Sequence, residues 1–326
     1  MSVLLRRITT QVLKELTAAD VFNASVWTGN ATIRDIATGL NSVAGESLVW
    51  TKTRDVGNAH MLVDSVRGSS VWLDSSATTV DGSTAGQFDS FLADGYRLGI
   101  GTLGNHNGTG MVGWQFLKAA GFLDIITYTG DSVVGRTIPH SLGVDAGMVI
   151  VKNRTDTKKW YVQHKDRPAN VTLSFDDATE SGGASVWNST LATDVDVTLG
   201  GNAVTNGVGE NYIMYVFAHN PEGLVQCGSY VGNGSGAGPA VTLGWVPQYI
   251  LIKRATGGTG DWMIFDTARG ITVGSSPTLE ANTNLVESSG ANLINLTADG
   301  FEVVSTSTDV NANGNEMIYM AIKGEI

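Results

Sequence analysis

The sequence is poor in cysteine and charge, and each shortage excludes a class of protein. Cys227 is the only cysteine in 326 residues, so no disulfide can form within the chain. Only 16% of the residues are charged, and the net charge of −11 disfavours binding to nucleic acid phosphates or to an anionic membrane. No apolar run approaches the roughly 18 residues that a spanning helix needs. We therefore expect no nucleic acid partner and no membrane insertion.

Proline is also scarce, with 6 residues, whereas glycine is abundant, with 41. Serine, threonine, valine and asparagine accompany the glycines along the whole chain. This mixture is typical of many short strands joined by tight turns. The composition therefore predicts an all-β protein.

A short motif occurs three times, and its spacing indicates the domain organisation. An aromatic residue is followed by Thr or Val, then Gly, then Asn or Asp, at Trp27–Asn30, Tyr128–Asp131 and Tyr230–Asn233. The copies are 101 and 102 residues apart, which is the size of a whole domain. The predicted division is an N-terminal helix over 1–20 and three tandem units over 21–120, 121–222 and 223–326.

The three units repeat the same order of strand signals. A strand apolar on both faces ends in basic residues, and a second strand ends in a polar turn. Later an Asn-Gly pair predicts a hairpin turn before the last strand, at Asn107-Gly108, Asn206-Gly207 and Asn313-Gly314. Strands of this number and spacing predict antiparallel β-sandwich or jelly-roll-like domains.

Charged residues recur where the second strand ends. Asp64 and Asp266 each precede an arginine by three positions, Arg67 and Arg269, and Arg167 occupies the same place in the second unit. An Asp at this spacing can pair with the Arg or accept hydrogen bonds from the backbone of the turn. Because one scaffold requirement copied three times is simpler than three active sites, we interpret these residues as structural corners.

Signatures of catalysis and metal binding are absent from the sequence. His60 falls where the other units carry Trp160 and Trp262, and His164 falls where they carry Asp, so both histidines are interpreted as structural. Asp176-Asp177 and the Asp194/Asp196 pair could offer oxygens to Ca²⁺, but no pattern completes the shell. The sequence therefore predicts no enzyme activity, no cofactor and no metal.

Two tryptophans in polar stretches, Trp72 and Trp187, are the candidate contacts for a ligand or receptor, because an exposed aromatic ring can stack on a sugar. Core packing is the alternative for both.

A stripe of apolar residues marks the N-terminal helix, at Leu5, Ile8, Val12 and Leu16. A helix this short needs a partner in water. The sequence leaves open whether that partner is the following unit or the same helix of another subunit.

The repeated pieces resemble the repeat domain of tail-fibre-like virion structural proteins of tailed, notably marine, bacteriophages. The resemblance covers about residues 21–323 and rests on the aromatic opening motif, on Val49–Arg54, on Val63–Gly68 and Phe265–Gly270, and on Asp299-Gly300-Phe301. It departs in the second unit, where His164 replaces the Asp and Pro168 the Gly.

The resemblance implies a virion protein, assembled in the host cytoplasm, of a tail fibre or tail tip that recognises a host surface glycan or protein. It would form a homotrimer and attach to other tail or virion proteins through the N-terminal helix. A capsid decoration or connector protein is the alternative, and a polysaccharide depolymerase is a third reading.

Overall fold

The computed structural model describes residues 15–83 and 85–324, and almost all regular structure in these residues is antiparallel β-sheet. The predicted all-β class is therefore confirmed. Leu5, Ile8 and Val12 of the predicted N-terminal helix lie outside the described residues. Leu16 is not helical and is exposed, and a single 3-10 turn follows at Ala18–Asp20.

The first unit contains two antiparallel sheets, in the orders β1-β7-β3-β4 and β2-β6-β5. Their strands, with one short helix, are β1 (Phe22–Thr28), β2 (Arg34–Ile36), β3 (Ser47–Thr53), β4 (Met61–Asp64), β5 (Phe88–Leu92), β6 (Gly95–Leu98), α1 (Thr102–Asn105) and β7 (Gly110–Leu117).

The second unit repeats this plan with a wider first sheet, in the order β8-β15-β10-β11-β12-β13, and a smaller sheet β9-β14. Its elements are β8 (Leu123–Thr129), β9 (Arg136–Pro139), β10 (Ala146–Asn153), β11 (Trp160–His164), β12 (Val171–Ser174), β13 (Glu180–Gly182), α2 (Ala184–Trp187), β14 (Asp196–Leu199), α3 (Ala203–Asn206) and β15 (Asn211–Ala218).

The third unit has the sheets β16-β23-β18-β19-β20 and β17-β22-β21. Its elements are β16 (Val225–Val231), β17 (Ala240–Thr242), β18 (Pro247–Arg254), β19 (Trp262–Asp266), β20 (Leu279–Glu280), β21 (Ile294–Thr297), β22 (Gly300–Val303), α4 (Thr308–Asn311) and β23 (Glu316–Lys323).

The central strands of the larger sheets are buried on both faces, as β3 and β10 show, and successive side chains of such a strand point to opposite sides. In β3, Val49 packs with Val63, Tyr96 and other residues between the two sheets of the first unit. Its neighbours Leu48 and Trp50 belong instead to a large cluster that contains residues of all three units. The apolar runs of these strands therefore serve two cores at once.

Where the three larger sheets meet, residues of this cluster form what we call the central core. Aromatic rings interlock there across the unit boundaries: Phe22 meets Tyr249, Phe116 meets Phe217, and Phe175 contacts both Trp50 and Trp262. An apolar cavity of about 20 Å³ remains at its centre. The division into three domains remains a prediction, whereas the packing crosses the predicted boundaries.

The Asn-Gly pairs do not form the predicted hairpins. In the first unit the strands on either side of the pair, β6 and β7, lie in different sheets, and α1 precedes the turn. The residues with equivalent positive φ are Gly108, Gly209 and Gly314. The prediction for Asn206-Gly207 is therefore wrong, because Gly207 has a φ of −66° and Asn206 ends α3.

The opening motif joins the first strand of each unit to this short helix. The amides of Asn30, Asp131 and Asn233 donate to the side-chain oxygens of three buried asparagines, Asn105, Asn206 and Asn311. A Cβ on the motif glycine would lie 2.0 Å from a backbone oxygen at Gly29, 2.1 Å at Gly130 and 2.4 Å at Gly232. Only glycine permits this approach, which explains its recurrence.

Candidate functional site

The predicted corners are buried ion pairs. Asp64 accepts a hydrogen bond from the Arg67 backbone amide at 2.8 Å and pairs with the Arg67 guanidinium at 2.5 Å. Asp266 and Arg269 repeat both contacts, at 2.9 and 2.6 Å, and all four side chains are fully buried. The residue that follows each Arg is a glycine with positive φ, Gly68 or Gly270 in turn. Both expected roles of the Asp, ion pairing and capping of the turn, occur together.

The corners also accept hydrogen bonds from a neighbouring unit. The Tyr215 hydroxyl of the second unit donates to Asp64 at 2.8 Å, and the Trp114 indole of the first unit donates to Asp266 at 2.9 Å. By strand register, Trp114 and Tyr215 are equivalent to Met320. The third donor position thus carries a residue that cannot donate.

The second unit, whose corner lies opposite this non-donating residue, also lacks the corner Asp. His164 replaces the Asp, and its Nε2 lies 3.2 Å from the Tyr319 backbone oxygen of the third unit. Arg167 pairs with Glu316, which also belongs to the third unit. Acceptor and donor have therefore changed together at this boundary, and a different ion pair spans it.

Three buried lysines, which the sequence analysis did not single out, link the units in the same cyclic order. The Nζ of Lys152 donates to Thr78 O of the first unit at 3.1 Å, and Lys253 donates to Ala178 O of the second at 2.7 Å. Lys52 donates to Asn284 O of the third unit at 3.2 Å.

Burial lowers the pKa of all three lysines to about 8. In the sequence, the feature that could have identified these lysines was the recurrence of Lys at one position of an otherwise apolar strand.

The three lysine contacts close into a ring, because each unit donates a hydrogen bond to a backbone carbonyl of its neighbour.

Two acidic residues join arginines of adjacent units. Asp81 pairs with Arg67 of its own unit and with Arg154 of the second unit. Glu287 pairs in the same way with Arg269 and with Arg54 of the first unit. The recurring arginines are thus paired with carboxylates at the boundaries between units.

His60 contacts a backbone carbonyl of the neighbouring unit, as tryptophan does at the equivalent position of the other two units. Trp160 Nε1 donates to Asp74 O at 2.9 Å, and Trp262 Nε1 donates to Ser174 O at 2.8 Å, each in the neighbouring unit. His60 Nε2 lies 3.1 Å from Glu280 O at the equivalent place. Its Nδ1 accepts from the Trp50 indole at 2.8 Å, so Nε2 carries the proton. Burial, with Lys52 nearby, lowers the His60 pKa to about 3.

The two candidate contact tryptophans have different environments. Trp187 ends α2 and is 0% exposed, so the expectation of an accessible ring there is corrected. The sequence around it is polar, but its own side chain is buried in the second unit, where α2 packs against β14 and α3. Trp72 is half-buried and lines an open groove of about 260 Å³ in the first unit. Only Trp72 of the pair is placed to meet a ligand.

The carboxylate pairs do not converge on one point. Asp176 accepts from the Trp160 amide, Asp177 pairs with Lys159, and Asp196 faces Thr193. In the described ranges, no three His, Cys, Asp or Glu side chains form a group that could hold a metal ion. Cys227 is buried, and burial raises the pKa of its thiol. No helix in the described part of the chain has the length and apolar character to cross a membrane.

These contacts define a class of all-β protein in which repeated charged groups fasten successive sandwich-like units to one another. The chain belongs to the family described as domain of unknown function DUF7483, whose model matches residues 17–325. That match spans all three units. Neither a curated protein nor a solved structure matches the chain.

Proposed function

We propose that the protein is a structural component of a bacteriophage virion, part of a tail fibre or tail tip, that contacts the host surface. The observation that carries this proposal is that the repeated charged side chains serve contacts between the units. Lys52, Lys152 and Lys253 and the corner arginines are buried in contacts between units, where a substrate could not reach them. Recognition is then left to the loops in which the units differ, around 70–90, 170–190 and 271–292.

Several features of the chain support a structural role. The resemblance to tail-fibre-like repeat domains points to the virion. The closed set of contacts between units suits a protein that must keep its shape outside the cell. The proposed assembly is a homotrimer, attached to the particle through the N-terminal segment.

Adsorption of phage to host cells tests the proposal. Purified full-length protein should compete with phage for the host surface and reduce the adsorption rate in proportion to its concentration. Protein that binds the particle but never the host would favour the capsid decoration or connector alternative. Immunogold labelling of intact virions would separate the two locations directly.

The assembly role of the N-terminal segment has its own test. Deleting residues 1–14 should convert a trimer to a monomer by light scattering and prevent incorporation into virions. The deletion stops there because Ala18 and Val21 pack into the central core. A truncated protein that still trimerises and assembles would contradict this role.

A further inference from the structure

One groove of the first unit has the form of a small ligand site. It is lined by Val63, Ser69, Ser70, Trp72, Gln87 and Asp89, with others, and has a volume of about 260 Å³. Small-molecule sites usually start at about 300 Å³, so the groove suits one ring-sized group of a larger molecule. An aromatic ring lines it together with hydroxyls and an exposed carboxylate.

The Trp72 ring is held in place by its neighbours. Its backbone pairs with Gly82 through two hydrogen bonds, of 2.9 and 2.7 Å, and the next residue, Leu73, pairs with Leu62 of β4. A Cβ on Gly82 would lie 2.5 Å from the indole, so glycine is needed for the ring to stay there. Asp81, beside Gly82, is anchored by Arg67 and Arg154. The ring is therefore preorganised, which lowers the entropic cost of binding.

The scaffold itself does not require tryptophan at this position. The equivalent residues of the other units are Thr172 and Thr278, and both are buried. The Thr172 hydroxyl donates to Val162 O within its own unit. The buried Trp72 indole nitrogen, by contrast, has no hydrogen-bond partner among the described residues. The first unit thus carries a large aromatic residue, which lines the groove, at a position where the other two units carry a small polar one.

We propose that this groove binds one residue of a neutral or amino-substituted bacterial surface polysaccharide. The face of a sugar ring carries C–H groups that pack on an indole, and the hydroxyls around its edge need polar partners. Ser69, Ser70 and Asp89 offer such partners around Trp72. The exposed Asp89 and the net charge of −11 disfavour an acidic sugar. The inference rests on the proposed role in host recognition and names its ligand class.

An array of purified bacterial surface polysaccharides tests the proposal, followed by calorimetry with the monosaccharides of any polysaccharide bound. Wild-type protein should bind, and Trp72→Thr should weaken binding at least tenfold. Trp72→Phe, which keeps a flat ring, should retain most of the affinity. The matched control is Trp27→Tyr, because Trp27 is also half-buried in the first unit and its equivalents are Tyr128 and Tyr230. It should change affinity less than twofold.

Two results would overturn the inference: no binding across the array, or equal binding by Trp72→Thr and Trp27→Tyr when both are folded. Adsorption competition distinguishes this failure from failure of the proposed function. If wild-type protein blocks adsorption but binds no polysaccharide, recognition uses another surface and the saccharide site is wrong. If wild-type protein does not block adsorption, the role in host recognition fails whatever the array shows.

Discussion

The Trp114 indole N–H donates a 2.9 Å hydrogen bond to Asp266 Oδ2, which lies 152 positions further along the chain. Tyr215 makes the corresponding bond to Asp64 at 2.8 Å. These bonds connect the first unit to the third and the second unit to the first. The protein is therefore closed on itself by polar contacts whose partners are remote in sequence.

Removing one of these donors should destabilise the protein. Trp114→Phe and Tyr215→Phe each leave a buried carboxylate short of one partner, which costs about 1–3 kcal/mol. Urea unfolding followed by circular dichroism measures the loss. Met320→Leu is the control at the third equivalent position, where neither side chain can donate a hydrogen bond, and such an exchange usually costs less than about 1.5 kcal/mol. Equal losses in all three variants would argue that packing alone matters.

Acid should destabilise the protein through its buried histidines. Burial lowers the pKa of His60 to about 3 and of His164 to about 4, from an ordinary value of 6.5. The folded state then binds fewer protons than the unfolded state, so the free energy of unfolding falls as pH drops below 6.5. Each histidine contributes up to about 1.4 kcal/mol per pH unit. Urea unfolding at pH 7 and pH 4.5 measures the effect.

The repeats supply a matched variant for this experiment. The Trp50 and His60 pair is replaced by Ile150 and Trp160 in the second unit. The double variant Trp50→Ile with His60→Trp copies that pair, and it should unfold less readily in acid than wild type does. His60→Trp alone should destabilise the protein at all pH values, because it crowds Trp50. An unchanged pH slope in the double variant would mean that His60 is not the acid-sensitive group.

The buried lysines should make the protein more stable at mildly alkaline pH. Their folded-state pKa of about 8 lies below the ordinary 10.5, so the unfolded state binds more protons above pH 8. The free energy of unfolding should then rise from pH 7.5 to 9, by about 1 kcal/mol or more. The window ends at 9, where ionisation of Cys227 in the unfolded state opposes the trend.

Lys152→Met provides the comparison for the alkaline rise. It should lower stability at every pH, because three backbone carbonyls lose their donor, and it should also reduce the slope between pH 7.5 and 9. A slope equal to that of wild type would show that Lys152 keeps its ordinary pKa.

A new peptide link should be tolerated at the boundary between the third unit and the first. Residues 118–122 and 219–224 join the other units, and residues 15–18 lie beside Lys323 and Gly324 at the corresponding place. A circular permutant that links 324 to 17 and opens at 220–223 should keep the wild-type circular dichroism spectrum and unfold cooperatively. Opening at 55–58 is the control and should be less stable, because Arg54 O binds the Glu287 amide and Gly57 lies against Asn284. Equal stability of the two permutants would contradict the ring.

A single unit should not fold alone. Residues 17–120 without the others would expose Leu48, Trp50, Leu62, Trp114 and Phe116, which pack in the central core. Exposed apolar surface of this extent leads to aggregation or loss of fixed packing. Size-exclusion chromatography and the dispersion of amide signals in an NMR spectrum measure the result. A monomeric fragment with native-like dispersion would show that each unit is an autonomous domain.

Some of the candidate site could be predicted from single residues, and some could not. The Asp64 and Arg67 corner was accessible because both partners lie three positions apart and recur in the third unit. The cross-unit donors Tyr215 and Trp114 were not accessible, since nothing in a linear sequence relates positions about 150 residues apart. The accessibility of Trp187 could not be predicted either, because polar neighbours along the chain do not determine whether a side chain points inward.

The sequence by itself determined the all-β class, the threefold repetition and the local contacts of the corners. These depend on alternation, glycine content and spacings of a few residues, which act within one strand or turn. Only the tertiary structure decided that the three larger sheets share a core and that Lys52, Lys152 and Lys253 fasten it. It also decided that Trp72, not Trp187, faces an open groove. The physical reason is that burial and hydrogen bonding between units depend on how the sheets meet, which no local pattern encodes.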